Sequence, residues 1–374
     1  EVITSLPRYE KHEIEDYWKG RLFRREEKKS TTVLRLHPFP QDKNKLFRRL
    51  VSFLAFSFLA AIASLLKRGP FDAVVAVSPP LTLGTVGKVA AMRHRSKLIL
   101  NLQDIFPDVA IALGKIKSRS SVRVLKKYEK LTYSGCDAIT VLSKDFEENV
   151  NRKIGSEKNL SQVEVIPNFL ISSSIKPQCR LTDYREEHQL GEKFVVMYAG
   201  NLGNSQSFDL ITNAARKHEE RNDIVYVLNG SGVMSEELKQ QAGELKNLVV
   251  IDYQPIERLS EVLATADLHL VSLKTGLGST SVPSKIYSIF ASGRPVIASV
   301  DPKTEIERLV VESEGGVVVP PDDFDSFISA LEGLIENSES LEEMGKKARA
   351  WLENCYSPET IACSYLDLIQ RLNS

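Results

Sequence analysis

The chain has 374 residues, of which 42% are hydrophobic and 26% charged, with 49 basic and 49 acidic side chains. Its length predicts two domains, and its composition excludes a disordered, collagen-like or multi-span membrane protein. A formal net charge of zero argues against nucleic acid as a partner, and four cysteines without a metal-ligand spacing fit a reducing cytoplasm.

The first half alternates apolar, strand-like runs with segments of helical period. The first residues, 2–6, are typical of the end of a strand, and further predicted strands lie at Thr32–Leu36, Ala73–Val77, Lys97–Leu102, Ala138–Leu142 and Val163–Ile166. Residues 17–69 hold thirteen Lys or Arg and three acids, and the seventeen residues from Leu50 to Leu66 are uncharged. We predict a buried domain helix at 50–66, while bilayer contact, which the basic flanks would suit, and a true membrane span remain alternatives.

The second half shows the same alternation more sharply. Its predicted strands are Phe194–Ala199, Ile224–Leu228, Leu248–Tyr253, Leu268–Leu273, Pro295–Ser299 and Gly316–Val319, with helices between them. This pattern predicts an α/β fold with parallel sheets covered by helices. We expect an N-terminal domain at 1–170, a linker at 171–190, a C-terminal domain at 191–355 and a closing helix at 356–374.

Three turns after predicted strands contain glycines. Ligands of doubly wound folds bind at the carboxyl ends of strands, where such turns let phosphates approach helix N-termini. Gly200 to Gly203 and Asn229 to Gly232 form two of these turns, although glycines also serve tight turns alone. In the third, Gly276 to Lys285, backbone N–H groups and the Lys285 ammonium would meet a diphosphate, unless Lys285 is a solvated surface lysine.

Several motifs resemble the GT-B glycosyltransferases of family four, especially the bacterial branch that includes fucosamine transferases of surface-polysaccharide pathways. In the second half they are MYAGNLG from Met197, LNGSG from Leu228, DYQP from Asp252, ADLHLVSL from Ala266 and, most specifically, VPSKIYSIFASGRPVIAS from Val282. In the first half they are SPPLT from Ser78, LQDIFPD from Leu102, ITVLS from Ile139 and VIPNF from Val165. The resemblance covers nearly the whole chain.

The resemblance implies two Rossmann-like doubly wound domains that face each other across a cleft. It also implies a retaining, metal-independent transfer that needs no cofactor and takes a nucleotide-sugar, taken here as a UDP-sugar, as substrate. The donor would lie on Gly200, Asn201, Gly203, Gly230, Gly232, Tyr253, Gln254, Pro255, Ser281, Val282, Pro283, Ser284, Lys285 and Ser288. Asp104, which follows a strand, is the catalytic candidate, but it could instead cap a turn; Asp108 is the second choice.

The chain departs from the family pattern in three places. The family's pair of glutamates falls on Thr280 and Ser288, and Glu305 could replace the second one unless it is an exposed glutamate at a helix start. The basic residues usual after the first glycine turn are absent at 204–207. We also expect the family's initial strand, loop and helix to precede Glu1, which predicts a gap in the strand order 3-2-1-4-5-6.

The function expected from this resemblance is transfer of a hexose or amino sugar to a lipid-linked glycan in cell-surface polysaccharide synthesis. We expect a bacterial protein of the cytoplasm at the inner face of the membrane, with peripheral contact through residues 17–69. A GT-B epimerase or phosphorylase is one alternative. A non-catalytic nucleotide-sugar-binding or scaffold protein is the other.

Overall fold

A computed structural model describes residues 1–6, 22–37, 46–155, 162–169, 174–278 and 283–374, with side chains from residue 51 onward in the helix that begins at Leu46. The elements of the first half are β1 (Val2–Ser5), β2 (Phe23–Lys28), β3 (Thr31–Leu36), α1 (Leu46–Leu66), β4 (Ala73–Ser78), α2 (Thr82–His94), β5 (Lys97–Leu102), α3 (Asp108–Ala112), α4 (Arg119–Tyr133), β6 (Ala138–Val141), α5 (Lys144–Ile154) and β7 (Gln162–Val165).

The second half is built from alternating strands and helices and ends in three consecutive helices. Its elements are α6 (Asp183–Glu187), β8 (Phe194–Ala199), α7 (Phe208–Lys217), β9 (Ile224–Asn229), α8 (Ser235–Ala242), β10 (Leu248–Ile251), α9 (Leu259–Thr265), β11 (Leu268–Ser272), α10 (Lys285–Ala291), β12 (Val296–Ser299), α11 (Glu305–Ser313), β13 (Gly316–Val319), α12 (Phe324–Glu336), α13 (Glu339–Cys355) and α14 (Pro358–Asn373).

The sheet of the second half has six parallel strands in the order β10-β9-β8-β11-β12-β13. Every residue of β9 and of β11 is buried, because helices cover both faces of the sheet. All six predicted strands are confirmed, and their ends move by two residues at most. The largest change is at β10, which ends at Ile251 because Asp252 and Tyr253 are already exposed.

The first half contains two sheets rather than one. Strands β4, β5, β6 and β7 form a parallel sheet, whereas β1, β3 and β2 form a smaller mixed sheet in that order. Within the described residues no pairing joins β1 to β4, and a cavity of about 600 Å³ lies between them, lined also by α1 and α2. The further strand that the family resemblance places between them stays a prediction.

Strand β2 was not predicted. Its sequence, FRREEK, is dominated by charge because β2 is a mostly exposed edge strand, and such a strand lacks the apolar alternation that marks a buried one. It pairs antiparallel with β3 through a tight turn, in which Lys29 has a φ of 52°. Charged side chains on an edge strand are a common protection against unwanted pairing with other chains.

Helix α1 confirms the predicted helix but packs through one face only. The buried face consists of small or hydroxyl-bearing side chains, namely Ser52, Ser57, Ala60 and Ser64. Ser57 Oγ lies 2.7 Å from Thr82 Oγ1 at the start of α2, and small residues here let the two helices approach closely. Among the described helices, none is both long and apolar enough to cross a membrane.

Among the described residues, contacts at α14 and at the start of α11 join the two halves. Helix α14 lies against the first half, where Ile361 and Leu368 pack with Ile99, and Asn101 Nδ2 donates to Tyr365 Oη at 2.8 Å. At the start of α11, the backbone N–H of Glu305 donates to Asp145 Oδ2 at 2.9 Å. The fold is thus α/β with two Rossmann-like units.

Candidate donor and catalytic site

The first two glycine turns follow β8 and β9 and pack directly against each other. Gly200 and Gly230 have φ values of 140° and 149°, which residues other than glycine rarely adopt. A Cβ added to Gly230 would lie 1.8 Å from the carbonyl oxygen of Gly200, and one added to Gly232 would lie 2.2 Å from that of Leu202. The glycines of the second turn are therefore required by backbone packing, whatever role they have toward a ligand.

The N–H groups of the first turn are largely used within the protein. The N–H of Gly200 donates to the Asn229 carbonyl at 2.8 Å, and that of Leu202 donates to the Ser231 carbonyl at 3.1 Å. The N–H of Gly203 donates to the Asn201 carbonyl at 3.0 Å. Tyr198 Oη also donates to the carbonyl of Asn201, at 2.8 Å, so the turn is rigidly tied to the end of β8.

Lys285 is the cation of this site. Its Nζ is buried and has no hydrogen-bond partner among the described residues. It lies 3.4 Å from the centroid of the Tyr198 ring, and a Cβ added to Gly200 would be only 3.3 Å from it. Burial holds the pKa of the Lys285 ammonium well below its ordinary value. The alternative of a solvated surface lysine is therefore wrong, since the ammonium is buried beside the glycine turn.

The third turn is arranged differently from the prediction. Asp301 accepts from the N–H of Gly276 at 2.8 Å and from that of Gly278 at 3.1 Å, so a carboxylate already occupies these donors. Thr275 donates to Asp322 through both its N–H and its hydroxyl. The two aspartates therefore fix the turn, and the N–H groups of Gly276 and Gly278 are not available to a diphosphate in this structure.

The segment after the third turn is only partly described. Ser281 and Val282 lie outside the described residues. Pro283 and Ser284 immediately precede α10, and their carbonyl oxygens accept from the first N–H groups inside it. Ser288 lies within α10 and is half-buried.

Tyr253, Gln254 and Pro255 form an exposed rim after β10. Tyr253 is 41% exposed, and Gln254 Oε1 accepts from Arg258 Nη1 at 3.4 Å. Arg258 is held in turn by Glu187 and Glu261, each at 2.8 Å. The sequence did not indicate these partners, because Glu187 is distant in the chain. They anchor the end of the rim while its aromatic residue stays accessible.

Asp104 lies two residues after β5 and is half-buried. The preceding residue, Gln103, is held by its N–H on the Ser78 carbonyl at 2.9 Å and by its side chain, which accepts from Asn168 Nδ2 at 2.9 Å. These bonds connect three of the loops at the carboxyl edge of the sheet. The hydrogen bonds of Gln103 therefore fix the backbone that positions Asp104.

Asp108 belongs to an ionic cluster that the sequence did not reveal. Lys153 Nζ lies 2.8 Å from Asp108 and 2.6 Å from Glu129, which also accepts from Tyr133 Oη at 2.9 Å. Glu129 is only 2% exposed, and burial raises the pKa of its carboxyl group. Lys153, the partner of Glu129, also forms an ion pair with Asp108. Because its carboxylate is held in this pair, Asp108 is a poor candidate for proton transfer.

Glu305 is not the exposed glutamate that its position suggested. It is 2% exposed, its carboxylate accepts from Arg308 Nη2 at 2.5 Å, and burial raises the pKa of the carboxyl group. The buried environment arises because the start of α11 contacts Asp145 of the first half. The carboxylate is therefore engaged by Arg308 at the contact between the halves.

Family comparisons agree with this arrangement. Residues 193–337 match the family described as "Glycosyl transferases group 1", and residues 15–168 match the "Glycosyl transferase 4-like domain". The chain belongs to the glycosyltransferase family. The GT-B fold inferred from the motifs is confirmed, whereas the finer assignment to the fucosamine-transferase branch stays a prediction.

The relatives of this glycosyltransferase are distant in sequence, but they align with most of the chain. It is 26% identical to the probable glycosyltransferase WbjE of Pseudomonas aeruginosa, over 85% of this chain and 80% of the relative. It is 24% identical to the putative colanic acid biosynthesis glycosyl transferase WcaI of Escherichia coli strain K12, over 99% and 91%. Anabaena HepE, solved in complex with UDP, superposes with a TM-score of 0.67 at 15% identity, over 85% and 82%.

Proposed function

We propose that this glycosyltransferase moves a hexose or amino sugar from a UDP-sugar to a lipid-linked glycan, with retention of configuration and without a metal ion. The proposed binding of a nucleotide-sugar donor rests on the environment of Lys285. A buried ammonium without a hydrogen-bond partner is unfavourable, and an anion placed beside it would relieve that cost. The leaving diphosphate is the anion that a nucleotide-sugar supplies at this edge of the sheet.

The sugar donor and the pathway are supported by the relatives. HepE was solved with UDP, and the name of WcaI places that protein in colanic acid biosynthesis. By analogy, the substrate of this chain is a UDP-sugar and its product a cell-surface polysaccharide precursor. We place the enzyme in a bacterial cytoplasm at the inner face of the membrane, with residues 17–69 making the peripheral contact.

Each residue group has a distinct role in the proposed reaction. The diphosphate lies next to the turn that begins at Gly200, against which Lys285 packs, and the ammonium stabilises the charge that grows on the leaving group. The rim around Tyr253 borders the base, and the residues 281–284 together with Ser288 hold the diphosphate and ribose. Asp104 orients the acceptor hydroxyl or accepts its proton, for which a carboxylate is competent.

A nucleotide panel followed by a turnover assay tests this function. Purified protein is titrated with UDP, GDP and dTDP, and a rise in melting temperature identifies the base, because binding to the folded state stabilises it. Release of UDP from UDP-sugars is then measured with a lipid-linked acceptor. We expect Asp104→Asn to lower transfer by roughly 10²-fold or more while the affinity for UDP stays unchanged.

The results distinguish the proposed transferase from the alternative functions. Binding of a nucleotide without turnover on any acceptor would favour the non-catalytic protein. Conversion of the nucleotide-sugar without an acceptor would favour an epimerase. Full transfer by Asp104→Asn would remove the role assigned to Asp104, although it would leave the donor site in place.

A further inference from the structure

Helix α1 carries apolar side chains on both of its faces. Its serines face the protein together with Phe53 and Phe56, which line the cavity beside β1 and β4, whereas Phe58 and several aliphatic side chains face outward. Five of the exposed apolar side chains form a row along the helix, which we call the α1 stripe: Val51, Leu54, Phe58, Ile62 and Leu65. Leu66, which is also exposed, lies beside the end of this row. At 100° per residue these five positions fall within an arc of about 80°, and the row is about 21 Å long.

The α1 stripe is unusual for a surface in contact with water. Phe58 alone is 66% exposed, and no member of the stripe is less than 39% exposed. Isolated exposed apolar residues are common, but a continuous row of them marks a surface that contacts something apolar. The inward face cannot exchange places with the stripe, because Ser57 Oγ bonds to Thr82 Oγ1 and the Ser64 carbonyl bonds to His94 Nε2, both on α2.

Positive charge accompanies the C-terminal end of the α1 stripe. Arg68 follows the helix and is exposed. The carbonyl of Ser64 lies 3.0 Å from His94 Nε2, which brings the end of α2 to the same place, and Arg93 and Arg95 on either side of this histidine are exposed. None of the three arginines forms an ion pair with another described residue. Lys67 is nearby and pairs with Glu1 at 3.2 Å.

We propose that the α1 stripe is the membrane-docking surface of this protein and that its occupant is a bilayer containing anionic lipid. An apolar row next to basic side chains is the combination by which interfacial helices bind such membranes. The stripe enters the boundary between headgroups and acyl chains, and the three arginines contact the lipid phosphates. The inference rests on the proposed function in one respect, since a lipid-linked acceptor would lie in the same bilayer.

Vesicle sedimentation of the full chain tests this surface directly. The double variant Leu54→Asp and Phe58→Asp is compared with Val311→Asp and Leu366→Asp, which replace equally exposed apolar residues on α11 and α14. With vesicles of phosphatidylcholine and phosphatidylglycerol, we expect the stripe variant to lose roughly tenfold or more in partition coefficient. The matched control should bind like the wild type.

The basic group is tested separately with Arg68→Gln, Arg93→Gln and Arg95→Gln. At low salt each substitution should weaken binding to anionic vesicles by about fivefold, and the effect should shrink as salt screens the charges. Binding to vesicles of phosphatidylcholine alone should not change. Circular dichroism and UDP affinity show whether every variant is folded.

Three results would overturn the proposal. The first would be a wild type that does not partition onto anionic vesicles at low salt, and the second would be a stripe variant that partitions as the wild type does. Alternatively, sedimentation velocity finds a lipid-free dimer that the stripe substitutions dissociate, in which case a second copy of the chain covers the stripe. Vesicle binding is measured without donor or acceptor, so its result does not depend on sugar transfer. An additional transfer assay on a water-soluble acceptor analogue separates loss of membrane binding from loss of catalysis.

Discussion

Replacement of Lys285 by methionine should raise the stability of the empty protein and lower its affinity for UDP. Methionine keeps the length and apolar stem of lysine but removes a buried, unpartnered ammonium. Relieving an unsatisfied buried polar group is worth roughly 1–3 kcal/mol, from which the lost contact with the Tyr198 ring subtracts about 0.5–2 kcal/mol. The difference runs from a loss of about 1 to a gain of about 2.5 kcal/mol. Because the methionine sulfur regains part of the contact with the ring, we expect a gain in the free energy of unfolding.

The affinity should change in the opposite direction and by more. Loss of one partner from a buried charge pair costs roughly 2–5 kcal/mol, so the Kd for UDP should increase by about 30-fold or more. Urea unfolding and isothermal titration calorimetry measure the two quantities on the same protein. Lys346→Met, which removes an exposed lysine of α13, should change neither.

The pH dependence gives a second test of the same residue. Because burial lowers the pKa of Lys285 in the folded state, the unfolded chain binds more protons between the folded and the ordinary pKa. The stability of the empty protein therefore contains a component that rises with pH across this range, and Lys285→Met should lack it. Higher stability of Lys285→Met alone would not establish that Lys285 belongs to the donor site. An unchanged Kd for UDP in this variant would refute that assignment.

Three further predictions concern binding and stability. UDP affinity should fall as pH rises above the lowered pKa of Lys285, because binding then requires uptake of a proton; calorimetry in buffers of different ionisation enthalpy detects that proton. Gly230→Ala should destabilise the protein by more than about 2 kcal/mol in urea unfolding, since its Cβ would meet the Gly200 carbonyl, whereas Gly333→Ala, within α12 and without a close neighbour, should stabilise it by about 0.5–1 kcal/mol. Lys153→Met should cost roughly 3–5 kcal/mol at pH 7 and less at pH 5, because the raised pKa of Glu129 lets its carboxyl group become neutral as the pH falls; an equal loss at both pH values would contradict this.

The repeating units of the second half could be predicted from the sequence because they depend on local composition. A strand covered by helices on both faces must be apolar at every position, as in β9 and β11, so it is visible without knowledge of its neighbours. Strand β2 was missed for the converse reason. It is held mainly by its pairing with β3, and nothing in its own charged sequence records that pairing.

The positions of the turns and of Lys285 were also evident from the sequence, but their contacts were not. The sequence placed glycines after β8 and β9, whereas only the structure shows that Gly230 is required by the carbonyl of Gly200. Likewise, Asp301 follows β12 and reaches back across the sheet edge to the third turn. Such contacts join residues far apart in the chain, so no local pattern predicts them.

Burial decided the remaining cases. The uncharged run at 50–66 determined that a helix forms, but the packing of α1 on α2 decided that its serines point inward while Leu54 and Phe58 stay exposed. Glu305 has the sequence of a helix start, and its contact with Asp145 of the other half makes it a buried carboxylate. Local sequence determines which elements form, because their backbone preferences and periodicity are local; the environment of a side chain depends on what packs against it, and this only the tertiary structure decides.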